Sequence, residues 1–183
     1  MGEQRELTRK DILFYLNLLN EKLKEKNQYG EVIICGGAAL ALAYSARDAT
    51  YDIDAIYYPK KIIDDIIHSI AIEHKITTQW LNDDVSMFLA ELEGFTSSPY
   101  LTLSNVIVNI VDAETLLSMK LLSAREESHD LSDAVILMKH LKINSMDKLD
   151  KLIDVYKGRY HPHTLQVSRI FAQAALKQVT QEG

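Results

Sequence analysis

Apolar residues along the chain keep two different rhythms, and the change between them marks out its elements. From Arg9 to Lys26 the apolar positions Ile12, Tyr15, Leu16, Leu19 and Leu23 recur at steps of three and four, the spacing of one helix face. Thr8 stands where a helix cap is favoured, and Asn27-Gln28-Tyr29-Gly30 ends the pattern. The run from Val32 to Cys35 is short and β-branched, which predicts a buried strand. An Ala/Leu-rich helix former follows from Ala38 to Ala46, then a second strand through Asp52-Ile53-Asp54. Pro59 opens a helix whose Ile62, Ile63, Ile66, Ile67 and Ile70 form a core stripe. Lys75 to Leu81 reads as a third strand, which makes a strand–helix–strand crossover of the right-handed kind, with Trp80 as a packing residue. Asn82 to Gly94 reads as a helical turn and loop. Tyr100 to Leu103 and Val106 to Val111 read as a hairpin about Ser104-Asn105. Beyond Ala113 the rhythm is helical throughout, over 113–125, 130–142, 146–157 and 163–179, with a break from Gly158 to Pro162. Strands first and helices later predict an α/β (α+β) fold: a mixed sheet flanked by helices over residues 1–112, and a C-terminal helical layer over 113–183 packed on it.

Chemistry enters at Gly36-Gly37 and Asp52-Ile53-Asp54. Two glycines in succession turn the chain sharply and bring backbone N–H groups close to a ligand. Gly37 then lies at a helix N-terminus, where free N–H donors and partial positive charge favour a phosphate. In a strand, residues two apart share a face, so Asp52 and Asp54 project together. Two carboxylates on one face repel unless a cation lies between them, and hard oxygen ligands suit Mg²⁺ or Mn²⁺ shared with substrate phosphates. A lone Gly-Gly is usually a turn, and a lone Asp-x-Asp usually a solvated strand end. In strand–Gly-Gly–helix–strand order, the two together describe a phosphoryl or nucleotidyl transfer site.

The stretch from Val32 to Ile56 resembles the signature of the DNA polymerase beta-type nucleotidyltransferase superfamily. More narrowly, Gly36-Gly37, Ala39-Leu40, Arg47, Thr50 and Asp52-Ile53-Asp54 resemble the small bacterial nucleotidyltransferases that include abortive-infection-type toxins, and a looser likeness runs to Leu141. The resemblance implies a nucleotidyltransferase-like mixed sheet and a Mg²⁺ (or Mn²⁺) cofactor held by Asp52 and Asp54. It also implies NTP bound by Gly36, Gly37, Arg47 and Thr50, with transfer to an acceptor such as a tRNA end, a protein hydroxyl or a small molecule. A toxin role beside an antitoxin protein belongs to the same implication.

The resemblance continues in Lys120, Arg125, Asp130 and Asp133, where the families show a Lys, an Arg and an acidic pair on the next helix; here His129 stands where Lys is common. Lys120 would set a positive charge against the triphosphate as pyrophosphate leaves, and Asp130 would join the nucleotide site. Spacing supports a second reading equally. Lys120 can be a surface lysine, and Asp130 with Asp133 at i+3 can pair with Arg125 or Lys120. Arg47 can contact phosphate or brace the acidic strand. Active superfamily members place a third carboxylate on a neighbouring strand; that strand here offers Asn109 centrally and Asp112, a further metal-ligand candidate, at its end. Either Asp112 reaches in, Asp130 substitutes, or the site is weakened. In the last case the protein is a nucleotidyltransferase-like module that binds nucleotide or a partner protein.

Composition narrows the setting. The 183 residues suit one domain with a small appendage, and 47% hydrophobic content excludes a disordered chain. Cys35 is the single cysteine, no apolar run reaches membrane-spanning length, and Met1 to Arg5 opens polar, so a cytoplasmic protein is expected. The formal charge of −6 argues against a nucleic-acid-coated surface. Residues 151–183 alone are basic, with Lys151, Lys157, Arg159, Arg169 and Lys177 against Asp154 and Glu182.

Overall fold

The computed structural model describes residues 4–44, 46–91, 95–123 and 129–181, and the chain divides into two compact units, residues 1–111 and 112–183. In the first unit a two-residue strand β1 (Leu7–Thr8) leads into helix α1 (Arg9–Glu25). Thr8 caps that helix through a capping box with Asp11, and the predicted stripe Ile12, Tyr15, Leu16, Leu19 and Leu23 is buried. Each of these aliphatic side chains contributes about 1.5–3 kcal/mol by leaving water. Strand β2 (Gly30–Ile34) follows, then helix α2 (Gly36–Ala43), a two-residue strand β3 (Ala49–Thr50) and strand β4 (Ile53–Tyr58). Helix α3 (Lys60–His74) buries Ile63, Ile66, Ile67 and Ile70, with Ile62 half-buried at the stripe's edge.

The predicted third strand is shorter and later than its sequence suggests. Lys75 takes a left-handed conformation that closes α3, with its N–H donated to Ala71 O. Thr77 then turns the chain locally, its Oγ1 accepting from Gln79 N at 3.2 Å, and a 3-10 turn fills Thr78–Trp80. Only Leu81–Asn82 remains extended, as β5. Trp80 is buried as expected, its indole N–H donated to Ile67 O at 3.3 Å. A short helix α4 (Ser86–Glu91) and the hairpin of β6 (Ser97–Thr102) and β7 (Val106–Val111) complete the unit.

The five-stranded sheet has the order β5-β4-β2-β7-β6. β2 runs antiparallel to β4 and parallel to β7, and β5 parallel to β4, so the sheet is mixed. Alternation fixes its faces. Val32, Ile34, Ile53, Ala55, Tyr57, Val106, Val108 and Ile110 are buried, while Asp54 belongs to the opposite set in its strand. A separate pair, β1 with β3, sets Leu7 opposite Thr50 and Thr8 opposite Ala49.

The second unit is helical among its described residues: α5 (Ala113–Ser123), α6 (Asp130–His140), α7 (Met146–Asp154) and α8 (Pro162–Gln181). Asp112 caps α5, accepting from Thr115 N and Thr115 Oγ1, both at 2.9 Å. Fully buried Ser168, Ala172 and Ala175 give α8 a narrow face that lets neighbouring helices approach. Arg169 ties α8 to α7 through Asp150 at 3.0 Å and through Asp154. Among the described residues no helix is long and apolar enough to cross a membrane.

Candidate functional site

The glycine pair is the floor of the site, and its neighbours explain why no side chain stands there. Cys35 follows β2 in an extended conformation, and its N–H donates to Asp54 O at 2.9 Å. Its thiol donates to the same carbonyl at 3.3 Å. Burial, and then the charge of Asp54, push that thiol's pKa well up, so Cys35 stays a neutral anchor. Gly36 has φ +60, the left-handed region that glycine enters at little cost. A Cβ added there would lie 2.5 Å from Asp54 Oδ2. At Gly37 it would meet Thr50 Oγ1 at 2.6 Å and Arg47 Nη1 at 3.1 Å. The glycines therefore do more than approach a ligand: they make room for the protein's own carboxylate, hydroxyl and guanidinium. Helix α2 starts on this floor with no side-chain cap from Cys35 and no acid in its own first turn, so the anion nearest its N-terminus is the Asp54 carboxylate seated against Gly36.

Asp52 precedes β4 and Asp54 lies within it, both half-buried. Burial raises the Asp52 pKa above the ordinary carboxylate value; the charge of Asp84 raises it further, and Arg47 opposes both. Asp84 is the residue that pattern reading passed over. It follows β5, whose Asn82 pairs with Asp54 in the sheet register, and its N–H donates to Asn82 Oδ1 at 3.1 Å. The signal for it was the Asn82-Asp83-Asp84 turn, an Asx-type fold-back that places a carboxylate just beyond a strand end. Asp84 also lines a half-open cavity of roughly 160 Å³ with Tyr57, Asp64, His68 and Asp83. Lys60 answers part of that acidity, at 2.7 Å from Asp83 and 3.5 Å from Asp64. Among the described residues, no group of three or more His, Cys, Asp or Glu is arranged to hold a metal. A Mg²⁺ ion keeps several waters and takes one or two carboxylates with substrate phosphates, a donor set that Asp52 and Asp54 fit in kind.

The central position of the neighbouring strand, where a third carboxylate is expected, holds an amide bonded elsewhere. Asn109 stands opposite Ile33, is 8% exposed, and donates its Nδ2 to Glu31 Oε1 at 2.7 Å. Asp112 belongs to the second unit, with both carboxylate oxygens on Thr115. In that unit, too, Lys120 Nζ lies 2.6 Å from Asp130 Oδ1 and 3.0 Å from Asp133 Oδ2. Asp130 also accepts from Ser123 Oγ at 3.1 Å. All three charged side chains are largely withdrawn from water, at 14%, 5% and 1% exposure. The structure thus joins Gly36, Gly37, Arg47, Thr50 and Asp54 in the first unit, with Arg47 acting electrostatically on Asp52. It joins Lys120, Asp130 and Asp133 in the second. Arg125 lies outside the described residues.

Residues 12–168 match the family described as "Nucleotidyltransferase of unknown function (DUF6036)". In structure the chain is similar to an antigenic nucleotidyltransferase-like protein from Paracoccidioides brasiliensis, with a TM-score of 0.50 and 16% sequence identity. That likeness covers 89% of this chain and 95% of the other, and it shows a shared fold. Among curated proteins no sequence matches the chain.

Proposed function

The chain belongs to a family of nucleotidyltransferases of unknown function, and from that premise we propose a Mg²⁺- or Mn²⁺-dependent enzyme that moves a nucleoside monophosphate from an NTP to a hydroxyl. The observation that carries the proposal is the seating of Asp54 against Gly36, and of Thr50 and Arg47 against Gly37. It makes the glycine turn and the strand carboxylate parts of one constellation, which two unrelated local motifs would not be.

In this reading Asp52 and Asp54 hold the metal, which when bound supplies charge neutralisation on the triphosphate and eases loss of the acceptor's proton. The first N–H groups of α2, with Thr50 and Arg47, bind and orient phosphate oxygens. The acceptor oxygen attacks the α-phosphorus, the bond to the β-phosphate oxygen breaks, and pyrophosphate leaves. The protein's work is mainly positioning and charge compensation. Lys120, the cation the resemblance sets against pyrophosphate, is assigned a different role here. Two carboxylates already balance its charge, so it braces α5 on α6 and Asp130 serves as its partner. The likeness to DNA polymerase beta-type enzymes and abortive-infection-type toxins extends the proposal to a tRNA, protein or small-molecule acceptor, and to an antitoxin partner.

One observation favours a second reading. Asn109, at the central position of its strand, is an amide bonded to Glu31 and a poor base. A nucleotide-binding module without transfer chemistry fits that residue. Transfer of label from each α-³²P NTP, with Mg²⁺ or Mn²⁺, into total cell RNA and protein separates the two. The enzyme reading expects label that disappears in Asp52→Asn and in Asp54→Asn. Metal-dependent NTP binding by calorimetry without any transfer, small-molecule acceptors included, would establish the binding module instead.

A further inference from the structure

We infer that residues 7–9, at the start of α1, are the positioning brace of the phosphate-binding segment Arg47–Asp52, an inference that rests on the nucleotide reading of that site. Three linked observations support it. First, among the described residues β1 and β3 pair only with each other, with Leu7 opposite Thr50 and Thr8 opposite Ala49. Thr50 is the residue seated on Gly37, and Asp52 comes two positions later. A two-residue pair is not stable by itself, so its geometry must be imposed from elsewhere.

Second, the imposing element is α1. Leu7 is 2% exposed, so the strand is fixed by burial as well as by its ladder. Thr8 is at once a strand residue and the cap of α1: its Oγ1 accepts from Asp11 N at 3.3 Å and its N–H donates to Asp11 Oδ2 at 3.0 Å. The helix behind it is held by its buried stripe, so Thr8 cannot shift without disturbing the first turn of α1.

Third, the next residue reaches towards α2, the helix that precedes this segment in the chain. Arg9 Nη2 donates to Tyr100 Oη at 3.0 Å, and Tyr100 Oη makes a long contact of 3.4 Å with Leu42 O in the last turn of α2. Consecutive residues at one helix start therefore hold both the exit of α2 and β3. Arg47 lies between those two anchors. The side chains on the glycine floor take their positions from a chain segment some forty positions upstream that carries no ligand-binding group in this reading.

The experiment uses the full chain with Leu7→Ser, Leu7→Met and Tyr100→Phe. Magnesium–NTP affinity is measured by calorimetry and corrected to the folded fraction from circular dichroism. Amide hydrogen exchange is followed at positions 49–54 and within α1. Leu7→Ser is expected to weaken binding by the folded fraction about tenfold, since small misplacements of binding groups are costly. Leu7→Met should restore it, and Tyr100→Phe should weaken it about threefold, since it removes both the bond from Arg9 and the long bond to Leu42 O at a distance from the ligand. In Leu7→Ser the amides of 49–54 should exchange about tenfold faster while those of central α1 keep their protection. A folded Leu7→Ser fraction that binds NTP as tightly as the parent overturns the brace, as does unchanged exchange at 49–54. If the parent protein itself binds no NTP, the nucleotide reading fails, and the exchange data still decide whether residues 7–9 position the segment.

Discussion

The two glycines of the site differ in what they exclude, and the difference can be measured. At Gly36 an alanine methyl would meet the Asp54 carboxylate at 2.5 Å from a left-handed backbone, so Gly36→Ala carries both a conformational cost of about 1–2 kcal/mol and a displaced carboxylate. At Gly37 the obstruction is Thr50, with Oγ1 at 2.6 Å and Cβ at 3.3 Å, and the far end of Arg47, but the backbone is outside the left-handed region and carries no added conformational cost. Calorimetric titration with magnesium and NTP should therefore find Gly36→Ala without detectable binding and Gly37→Ala weakened by about tenfold. The reverse order would remove Asp54 from the site. Asp52 allows a test on stability alone. Its pKa is raised in the folded state, so the native protein holds the proton more tightly than the unfolded chain between the ordinary and the raised value. Stability attributable to Asp52 is greatest below that window and falls as pH rises through it. Asp52→Asn should then unfold at a higher temperature than the parent near pH 7 while losing activity, and the advantage should vanish near pH 3. Equal melting temperatures at both pH values would contradict the assigned burial. These residues were legible in the sequence because glycine and paired acids announce backbone and charge requirements directly. Asp84 was only half legible: the Asn82-Asp83-Asp84 turn signals a carboxylate beyond a strand end, but its place beside Asp52 depends on a strand shorter than local pattern predicts.

At the level of elements, periodicity carried far where an element buries one long face. The stripe of α1, the isoleucines of α3 and the breaks between α6, α7 and α8 fall close to the positions their spacing predicts, while the predicted end of the preceding helix at 125 lies outside the described residues. The central strands were equally readable, because Val32 to Cys35 and Val106 to Val111 are short apolar runs bounded by turn residues. The failure at Lys75–Leu81 has a local cause. Thr77 bonds the backbone two residues on, a local turn that competes with the extension favoured by β-branched Ile76, Thr77 and Thr78. Pairing register lay beyond the sequence as well. That β1 would join β3 depends on two residues at each side, too few to leave a periodic trace, yet it pairs Leu7 with Thr50.

For the whole molecule, the question is how much of the proposed chemistry belongs to the first unit alone, and Lys120 is the residue that asks it. The sequence left two readings for this lysine, a phosphate contact or an ion-pair partner, and the structure sets its ammonium between Asp130 and Asp133 in the second unit. Replacing it with methionine leaves two buried carboxylates without that cation, a change that costs about 3–5 kcal/mol. Lys120→Met should lower the melting temperature of the second unit markedly, on a scale of about 4–8 °C per kcal/mol for a unit of this size. Adding Asp130→Asn and Asp133→Asn should recover much of the loss, because the neutral amides need no compensating charge. Magnesium–NTP affinity, measured well below the melting transition, should stay within about twofold of the parent in both variants. A large loss of affinity in folded Lys120→Met would instead return this lysine to the triphosphate and make the second unit part of the catalytic apparatus. The acidic chain, at a formal charge of −6, makes the same comparison informative about the acceptor. If the first unit binds NTP unaided, an RNA acceptor would have to be held against net repulsion. Its binding should then weaken less with added salt than that of a basic nucleic-acid binder, which owes its affinity to counterion release.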